Sequence, residues 1–473
     1  MGLVEISAVR ASDDEREMGT YNPNIRSIIA YNAESRIVET MRLNGVLIGQ
    51  ITPRGGVISG SSSVVQFDAW NWEDATIKYD EGMHVNWPNP YRRPSRWSSG
   101  SRTVTSSEKY LDQVKRVFNY ATVGMYWALT DERSSRRQID KYYDNIIKWS
   151  TKNNVRLKGH PLMWHEGMPD WVRYSKDLDE LEVAMKTHMR RLIETYPEIN
   201  DWDVYNEPVG PFKPHIPYSA IQDWINHKGG IYPAMVEIYQ YVNSVNPEKN
   251  YSNNHYHAKD PEYFKINEYY VQKNLNFSSI GMQAHMQSND NVMTESQVWD
   301  QIEDYAVLGK NIQFTEITVT SSKRFNNWKD HQEFLAKRDE SLRKGKEMDL
   351  PSLPEYEDFQ ASYLKDFYTL VFSHPSVSSI TFWNLTDKNA WRGHAGGLLY
   401  KDLSPKKSFL TLKQLIKETW TTEIIEKINI SDSFEFRGFH GDYEGEIQVD
   451  KKLYKFSFSI DKETDGPIDL VLK

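Results

Sequence analysis

Residues 155–165 read VRLKGHPLMWH and residues 201–207 read DWDVYNE, two short runs that each predict a strand. Between them, residues 181–198 read LEVAMKTHMRRLIETYPE and carry apolar side chains at helical spacing. A strand, a helix and a further strand in this order are typical of parallel strands joined by a crossover helix. We therefore predict a parallel sheet that is covered by helices.

The alternation of strands and helices continues from about Lys109 to Thr419. About eight such units in roughly 300 residues fit an α/β fold of the (β/α)8 TIM-barrel type better than an open doubly wound sheet. The first strand is predicted at MHVNW, residues 83–87, and residues 88–102 are interpreted as an irregular linker or surface loop. The other predicted strands are ATVGMYWAL (121–129), VRLKGHPLMWH (155–165), DWDVYNE (201–207), YSNNHYH (251–257), SSIGMQAHM (278–286), NIQFTEITV (311–319) and SSITFWNL (378–385).

Both ends of the chain have a different pattern. Residues 36–80 include VLIGQITPRGGVISGSSSVVQFDAW and residues 422–473 include FEFRGFHGDYEGEIQVDKKLYKFSFSIDK, in which short alternating runs are separated by turn residues. This is typical of antiparallel strands. Because neither end has enough strands for a covered core, we expect the N- and C-terminal regions to form one small antiparallel β module. The predicted division is a β-rich region at 1–85, the barrel at 86–420 and a C-terminal β extension at 421–473.

The bulk composition limits the function. The chain has 473 residues, a net charge of -9 and no cysteine. Nucleic-acid binding needs a concentrated positive field, so no nucleic-acid partner is expected. The absence of cysteine excludes disulfides, thiolate nucleophiles and Cys-ligated metals. No run of about 18 apolar residues occurs, so no membrane-spanning helix is expected. Aromatic residues make up 13% of the chain, and their flat apolar faces suit stacking on sugar rings.

The N-terminus, MGLVEISAVRASDDEREMGTYNPN, lacks the basic-then-apolar pattern of a signal peptide. We expect a secreted or cell-surface protein given in its mature form, with an intracellular protein as the alternative.

Polar and ionisable residues recur at the carboxyl ends of the predicted strands, where barrel enzymes place their active sites. Glu207 ends the fourth predicted strand and Glu316 lies in the seventh, 316 − 207 = 109 residues later. Two carboxyl groups that face each other across a barrel mouth are what glycoside hydrolysis needs, one to protonate the leaving oxygen and one to attack or to activate water. The remaining candidates at the strand ends are His160, Trp164, His165, Asn206, Gln283, His285, Trp383, Trp391 and Arg392.

The motifs GHPLMWH, DWDVYNEP, IGMQAHM, TEI and ITFWNLTDKNAWR stand in the order and spacing of family-10 glycoside hydrolases, which the chain resembles over roughly residues 105–420. The resemblance implies a retaining endo-β-1,4-xylanase without a cofactor or a resident metal, acting on a polysaccharide or oligosaccharide. It implies that Glu207 is the general acid/base and Glu316 the nucleophile. The substrate-binding residues that it implies, together with the arginine at the end of the last motif, are His160, Trp164, Asn206, Gln283, His285, Trp383, Trp391 and Arg392.

Two departures from the family pattern concern sugar recognition. The family's second strand ends with a Glu-Asn pair followed by Lys, whereas FNYATVGMYWALTDE lacks the pair and has Tyr126 at the lysine position. The nucleophile motif has Thr318 in place of the aspartate that steadies the histidine. We therefore expect intact cleavage chemistry with altered recognition of the glycone sugars.

Other interpretations remain open at this point. His160, His165 and His285 could ligate a metal, since imidazoles bind zinc. His165 could equally be a hydrogen-bonded core residue, and His255 and His257 share one face of a predicted strand. The competing functions are a retaining glycosidase for a different β-glycan and a non-catalytic glycan-binding barrel. We expect a monomer.

Overall fold

The computed structural model describes residues 22–53, 58–85, 96–100, 107–131, 138–213, 218–344, 346–388, 391–427, 435–439, 441–449 and 451–460, and the single positions 216, 464 and 468. The chain separates into two compact units, Met1–Asn89 and Pro90–Lys473. The predicted division at residues 85 and 420 stays a prediction.

The N-terminal unit contains a three-stranded antiparallel sheet in the order β1-β2-β3. The MHVNW run was predicted as the first barrel strand, and this prediction is wrong. Its residues Met83 to Val85 end β3 and pair antiparallel with β2, and its last two residues lie outside the described part. The elements of this unit are α1 (Arg36–Leu43), β1 (Ile48–Ile51), β2 (Ile58–Gln66), α2 (Trp72–Ala75) and β3 (Thr76–Val85).

The second unit contains the barrel. Its strands are β4 (Arg96–Gly100), β5 (Tyr120–Gly124), β6 (Arg156–His160), β7 (Met163–Trp164), β8 (Asp201–Asn206), β9 (Asn250–His255), β10 (Ser279–Met286), β11 (Asn311–Val319) and β12 (Val377–Trp383). Its helices are α3 (Glu108–Val117), α4 (Trp127–Thr130), α5 (Gln138–Lys152), α6 (Asp170–Arg173), α7 (Leu178–Thr195), α8 (Ala220–His227), α9 (Ile231–Val245), α10 (Pro261–Gln272), α11 (Glu295–Ala306), α12 (Trp328–Arg343), α13 (Pro354–Ser373) and α14 (Lys407–Gln414).

The strands pair in parallel in the order β4-β12-β11-β10-β9-β8-β6-β5, with the short β7 beside β8. Strands β4 and β5 also lie side by side, which brings the two ends of the sheet together. The described part of the chain therefore forms a (β/α)8 barrel, and the predicted fold class is confirmed.

The first barrel strand, β4, lies inside the segment that was interpreted as a loop, so that interpretation is wrong. The five residues of β4 read RWSSG, which has neither β-branched residues nor an apolar alternation. Its strand conformation depends on pairing with β12, a partner far away in sequence, and a local pattern does not record such a partner.

Helix α7 shows how the helices cover the sheet. The Asp177 side chain caps the helix by accepting hydrogen bonds from the first backbone N–H groups. Leu181, Met185, Met189 and Leu192 recur at helical spacing, and all four are buried. These side chains belong to the main hydrophobic core, to which strand β8, buried along its whole length, also contributes.

The C-terminal region contains the antiparallel pair β13 (Gly441–Val449) and β14 (Lys452–Ile460). Antiparallel strands at both ends of the chain were predicted correctly. Within the described ranges the two ends pair separately, as the sheet β1-β2-β3 and the hairpin β13-β14, and not as one shared sheet. In the same ranges, no helix is both long and apolar enough to span a bilayer.

Candidate active site

Glu207 directly follows β8 at the carboxyl-end rim of the barrel. Pro208 has no backbone N–H, so the ladder cannot continue beyond Glu207. The backbone of Glu207 has φ 58°, in the left-handed region, which costs a residue with a side chain about 1–3 kcal/mol. Two hydrogen bonds hold this turn, from Glu207 N–H to the Asn254 carbonyl (2.7 Å) and from Gly210 N–H to the Glu207 carbonyl (2.8 Å).

Two side chains donate hydrogen bonds to the Glu207 carboxyl group. Gln283 Nε2 lies 3.0 Å from Oε1, and Trp164 Nε1 lies 3.2 Å from Oε2. Burial and, next, the negative charge of Glu316 raise the pKa of Glu207, the two donors oppose the shift, and the net result is a pKa of about 7. Trp164 therefore acts on Glu207 through its N–H group, which stabilises the carboxylate.

Glu316 lies within β11 and has the opposite pKa shift. Its Oε2 is 3.2 Å from His285 Nε2, and its Oε1 is 3.0 Å from Asn254 Nδ2. Burial alone would raise the pKa of Glu316, but the hydrogen bonds from His285 and Asn254 and the nearby imidazole of His160 outweigh burial, and the pKa is lowered. His285 Nδ1 is 3.0 Å from the Thr318 hydroxyl. With Nε2–H of His285 directed at Glu316, Nδ1 accepts a hydrogen bond from the Thr318 hydroxyl. An ionised aspartate at position 318 has no hydrogen to donate and could not make this bond.

The strand register brings these groups to one level. Gln283 pairs with Glu316 and His285 with Thr318 between β10 and β11. Between β8 and β9, Asn206 pairs with Asn254. The Asn254 amide donates to Asn206 Oδ1 (2.8 Å) as well as to Glu316 Oε1, so one amide links the strand that precedes Glu207 to Glu316.

His160 is held from below by a buried ion pair. Its Nδ1 is 2.7 Å from Asp203 Oδ2, while Lys158 Nζ is 2.6 Å from Asp203 Oδ1. Burial would raise the pKa of Asp203, but the charge of Lys158 and the bond from His160 lower it to about 2. The ionised Asp203 accepts a hydrogen bond from Nδ1–H of His160, and His160 Nε2 faces Glu316 Oε1 at 3.8 Å.

Aromatic rings surround His160. The ring of Trp383 lies 5.8 Å from the His160 ring and 6.4 Å from the His285 ring. Tyr126 is buried, and its ring lies 5.8 Å from His160 and 5.5 Å from Trp164. Tyr126, at the position where the family pattern has a lysine, thus brings an aromatic ring next to His160 and Trp164.

Two of the predicted residues lie on the turn Trp391–Gly393, which follows β12. The side chain of Trp391 lies outside the described residues. The guanidinium of Arg392 lies 5.4 Å from the ring of Trp328, a contact that does not involve either carboxyl group. The structure thus brings His160, Trp164, Asn206, Gln283, His285 and Trp383 into contact with the two glutamates or with their immediate neighbours.

The sequence interpretation missed three residues of this network. Asn254 is the second-to-last residue of β9 and pairs with Asn206, and the polar run YSNNHYH was the available signal. Lys158 and Asp203 alternate with buried residues on strands that were predicted correctly, so inward-facing charges could have been noted there. His255 is buried against the rings of Tyr256 and Tyr263 and belongs to the core packing.

The arrangement combines a carboxyl group that keeps its proton near neutral pH with one that is ionised. The first can donate a proton and the second can attack or activate water. Sequence analysis left open a metal site formed by His160, His165 and His285. In the structure, His160 and His285 face different oxygens of Glu316, whereas His165 lies beside Glu166 and Glu207. Within the described residues, the group with metal-ligand spacing is His165, Glu166 and Glu207.

Comparisons with known proteins agree with this site. The family model described as Glycosyl hydrolase family 10 matches residues 97–414. The chain is similar to Endo-1,4-beta-xylanase B of Thermotoga neapolitana, with 24% identity over 336 residues that cover 67% of this chain and 86% of that protein. It is similar to Endo-1,4-beta-xylanase 3 of Arabidopsis thaliana, with 24% identity over 377 residues that cover 76% of this chain and 43% of that protein. The solved structure of GH10 from Paenibacillus barcinonensis shares the fold, with a TM-score of 0.56, 20% identity and coverage of 68% of this chain and 95% of that chain. Because the family model matches more than half of the chain, the protein belongs to glycosyl hydrolase family 10 and is a glycoside hydrolase.

Proposed function

We propose that the protein is a retaining endo-β-1,4-xylanase that cleaves xylan or a decorated xylan by double displacement. The observation that carries the proposal is the opposite pKa shift of two glutamates on one rim, with Glu207 raised to about 7 and Glu316 lowered. Environments that push two carboxyl pKa values apart assign the acid to one and the nucleophile to the other. The two relatives named above are both endo-1,4-β-xylanases.

In this mechanism, Glu207 protonates the leaving oxygen while the Glu316 carboxylate attacks the anomeric carbon. The Glu207 carboxylate then takes a proton from water, which attacks the glycosyl–Glu316 ester. Deprotonated Glu207 is stabilised at this stage by Gln283 and Trp164. His285 and Asn254 hold the nucleophile in its ionised form before attack.

Substrate contacts follow from the same geometry. Asn206 Oδ1 is fixed by the Asn254 amide, which leaves the Asn206 amide group to donate to a sugar hydroxyl. Asp203 orients His160 so that Nε2 can accept a hydrogen bond from a second sugar hydroxyl. Trp164 and Trp383 supply apolar walls, and Trp391 and Arg392 complete the proposed binding set from the loop after β12.

The glycone side supports a second candidate, a retaining glycosidase for a different β-glycan. Tyr126 places an aromatic ring between His160 and Trp164 where family members have a lysine. A ring stacks on a sugar face, whereas an ammonium group donates hydrogen bonds to hydroxyls. We therefore expect the site to select its glycone sugar by the shape and apolar face of the ring more than by the pattern of hydroxyl groups.

The activity test compares reducing-sugar release from xylan, arabinoxylan and mixed-linkage glucan by the wild type and by Glu316→Ala. We expect release from xylan or arabinoxylan that the substitution abolishes. Release from mixed-linkage glucan alone would select the second candidate. If the wild type releases no reducing sugar from any of the three glycans, the remaining hypothesis is a non-catalytic glycan-binding barrel. If Glu316→Ala still releases reducing sugar, Glu316 is not the nucleophile.

The stereochemistry of the first product tests the double displacement independently. Proton NMR of the newly formed reducing end should show the β anomer before mutarotation, because two inversions restore the configuration. Initial α anomer would mean a single displacement.

A single peak at the monomer mass in size-exclusion chromatography with light scattering would agree with the proposed monomer.

A further inference from the structure

His165 is a buried imidazole that the reaction does not use. It is 1% exposed, and neither ring nitrogen has a hydrogen-bond partner among the described residues. The ring stacks on Tyr205 at 6.4 Å, and Gly210 packs against it so closely that a Cβ there would lie 2.6 Å from its Cε1. The imidazole is therefore held in one orientation while its hydrogen-bonding capacity is unused. Such buried polar groups are rare in folded proteins.

Two carboxyl groups face this imidazole. His165 Nε2 lies 3.9 Å from Glu166 Oε1, which is outside hydrogen-bonding distance. One ligand atom each from His165, Glu166 and Glu207 lie within 4.8 Å of one another. Glu166 is the exposed member of the group and Glu207 is half-buried, so solvent reaches two of the three side chains.

We propose that His165, Glu166 and Glu207 bind a zinc-class divalent cation, and that the bound cation inhibits the enzyme. An imidazole with two carboxylates suits Zn²⁺, whereas Mg²⁺ and Ca²⁺ prefer oxygen ligands alone. Zinc–ligand distances of about 2.0–2.2 Å require only small side-chain movements within a triangle of this size. Each Glu207 oxygen accepts one hydrogen bond, from Gln283 or from Trp164, and keeps a lone pair for the cation.

Inhibition follows from the identity of one ligand. A cation on the Glu207 carboxylate occupies the position of the proton that the leaving oxygen needs, and the displaced proton goes to solvent. The same cation blocks the later step, in which Glu207 accepts a proton from water. The inhibitory part of this inference rests on the proposed role of Glu207, whereas cation binding does not.

Glu166→Gln tests the site directly, because Glu166 is exposed and has no assigned part in the reaction. Isothermal titration calorimetry with ZnCl2, without substrate, should show one binding site in the wild type. In Glu166→Gln, the dissociation constant for zinc should be at least about tenfold higher. Glu198→Gln, the same change at an exposed glutamate near the opposite end of β8, is the matched control and should bind zinc like the wild type. MgCl2 should not compete.

The activity arm uses the same three proteins. Zinc should inhibit wild type and Glu198→Gln in parallel with binding, while Glu166→Gln should keep its activity at a zinc concentration that inhibits the wild type. Equal zinc binding by wild type and Glu166→Gln, or no zinc binding by the wild type, would overturn the proposal. If zinc binds as expected but no glycan is cleaved, the cation site stands and the proposed function fails.

Discussion

The pKa of Glu207 gives the most direct quantitative test of the site. Gln283 Nε2 donates to Glu207 Oε1 at 3.0 Å and opposes the upward shift of the pKa that burial causes. Gln283→Met removes this donor and keeps the length of the side chain. A hydrogen bond to a charged group contributes about 1.5–3 kcal/mol, and one pKa unit corresponds to about 1.36 kcal/mol. Because Glu207 is partly exposed, we take the lower value and expect the pKa to rise by about one unit.

The measurement is the alkaline limb of kcat/KM against pH, which reports the acid of the free enzyme. The reaction needs protonated Glu207, so the limb should lie near the wild-type pKa of about 7 and move to higher pH in Gln283→Met. Trp164→Phe is the matched variant, since it keeps an aromatic ring and removes the longer bond of 3.2 Å. Its limb should move in the same direction by a smaller amount.

An alkaline limb that stays in place, or moves to lower pH, in Gln283→Met would refute the assignment of Glu207 as the group that controls it. A variant with lower activity but an unmoved alkaline limb would also refute the assignment. Loss of fold or of substrate binding lowers the whole profile of kcat/KM against pH and does not move it along the pH axis.

Two further predictions concern the groups beneath and beside the nucleophile. Lys158→Met leaves the buried Asp203 carboxylate without its cation at 2.6 Å and should lower the free energy of unfolding by about 3–5 kcal/mol, measured by urea denaturation at pH 7. Because the pKa of Asp203 falls from 3.8 to about 2 on folding, the difference between wild type and variant should shrink as the pH falls through that range, and a constant difference would contradict the pairing. Thr318→Val removes the hydroxyl that supports His285, so the pKa of Glu316 should rise and the acid limb of kcat/KM should move to higher pH, with a loss of roughly tenfold in kcat/KM. Thr318→Ser keeps the hydroxyl and should resemble the wild type, and coincident profiles for the two variants would exclude the bond.

The failures of sequence interpretation share one cause. Strand β4 was interpreted as a loop and MHVNW as a barrel strand, because apolar alternation reports burial of a face and does not report the partner strand. The sequence also does not show that the Gln283 amide contacts Glu207, although Gln283 pairs with Glu316 in the strand register. The direction in which a strand-end side chain leans depends on neighbouring strands that are distant in sequence.

The sequence by itself determined the alternation of strands and helices, the barrel and the placement of Glu207 and Glu316 on its fourth and seventh strands. These features follow from local periodicity and from the rule that parallel strands end on one rim. Only the tertiary structure decided the electrostatics. Burial and the charge of Glu316 raise the pKa of Glu207 against the donor Gln283. His285 on β10 and Asn254 on β9 lower the pKa of Glu316 against burial. Such shifts depend on distances of about 3 Å between side chains that are far apart along the chain, and no local pattern of residues encodes those distances.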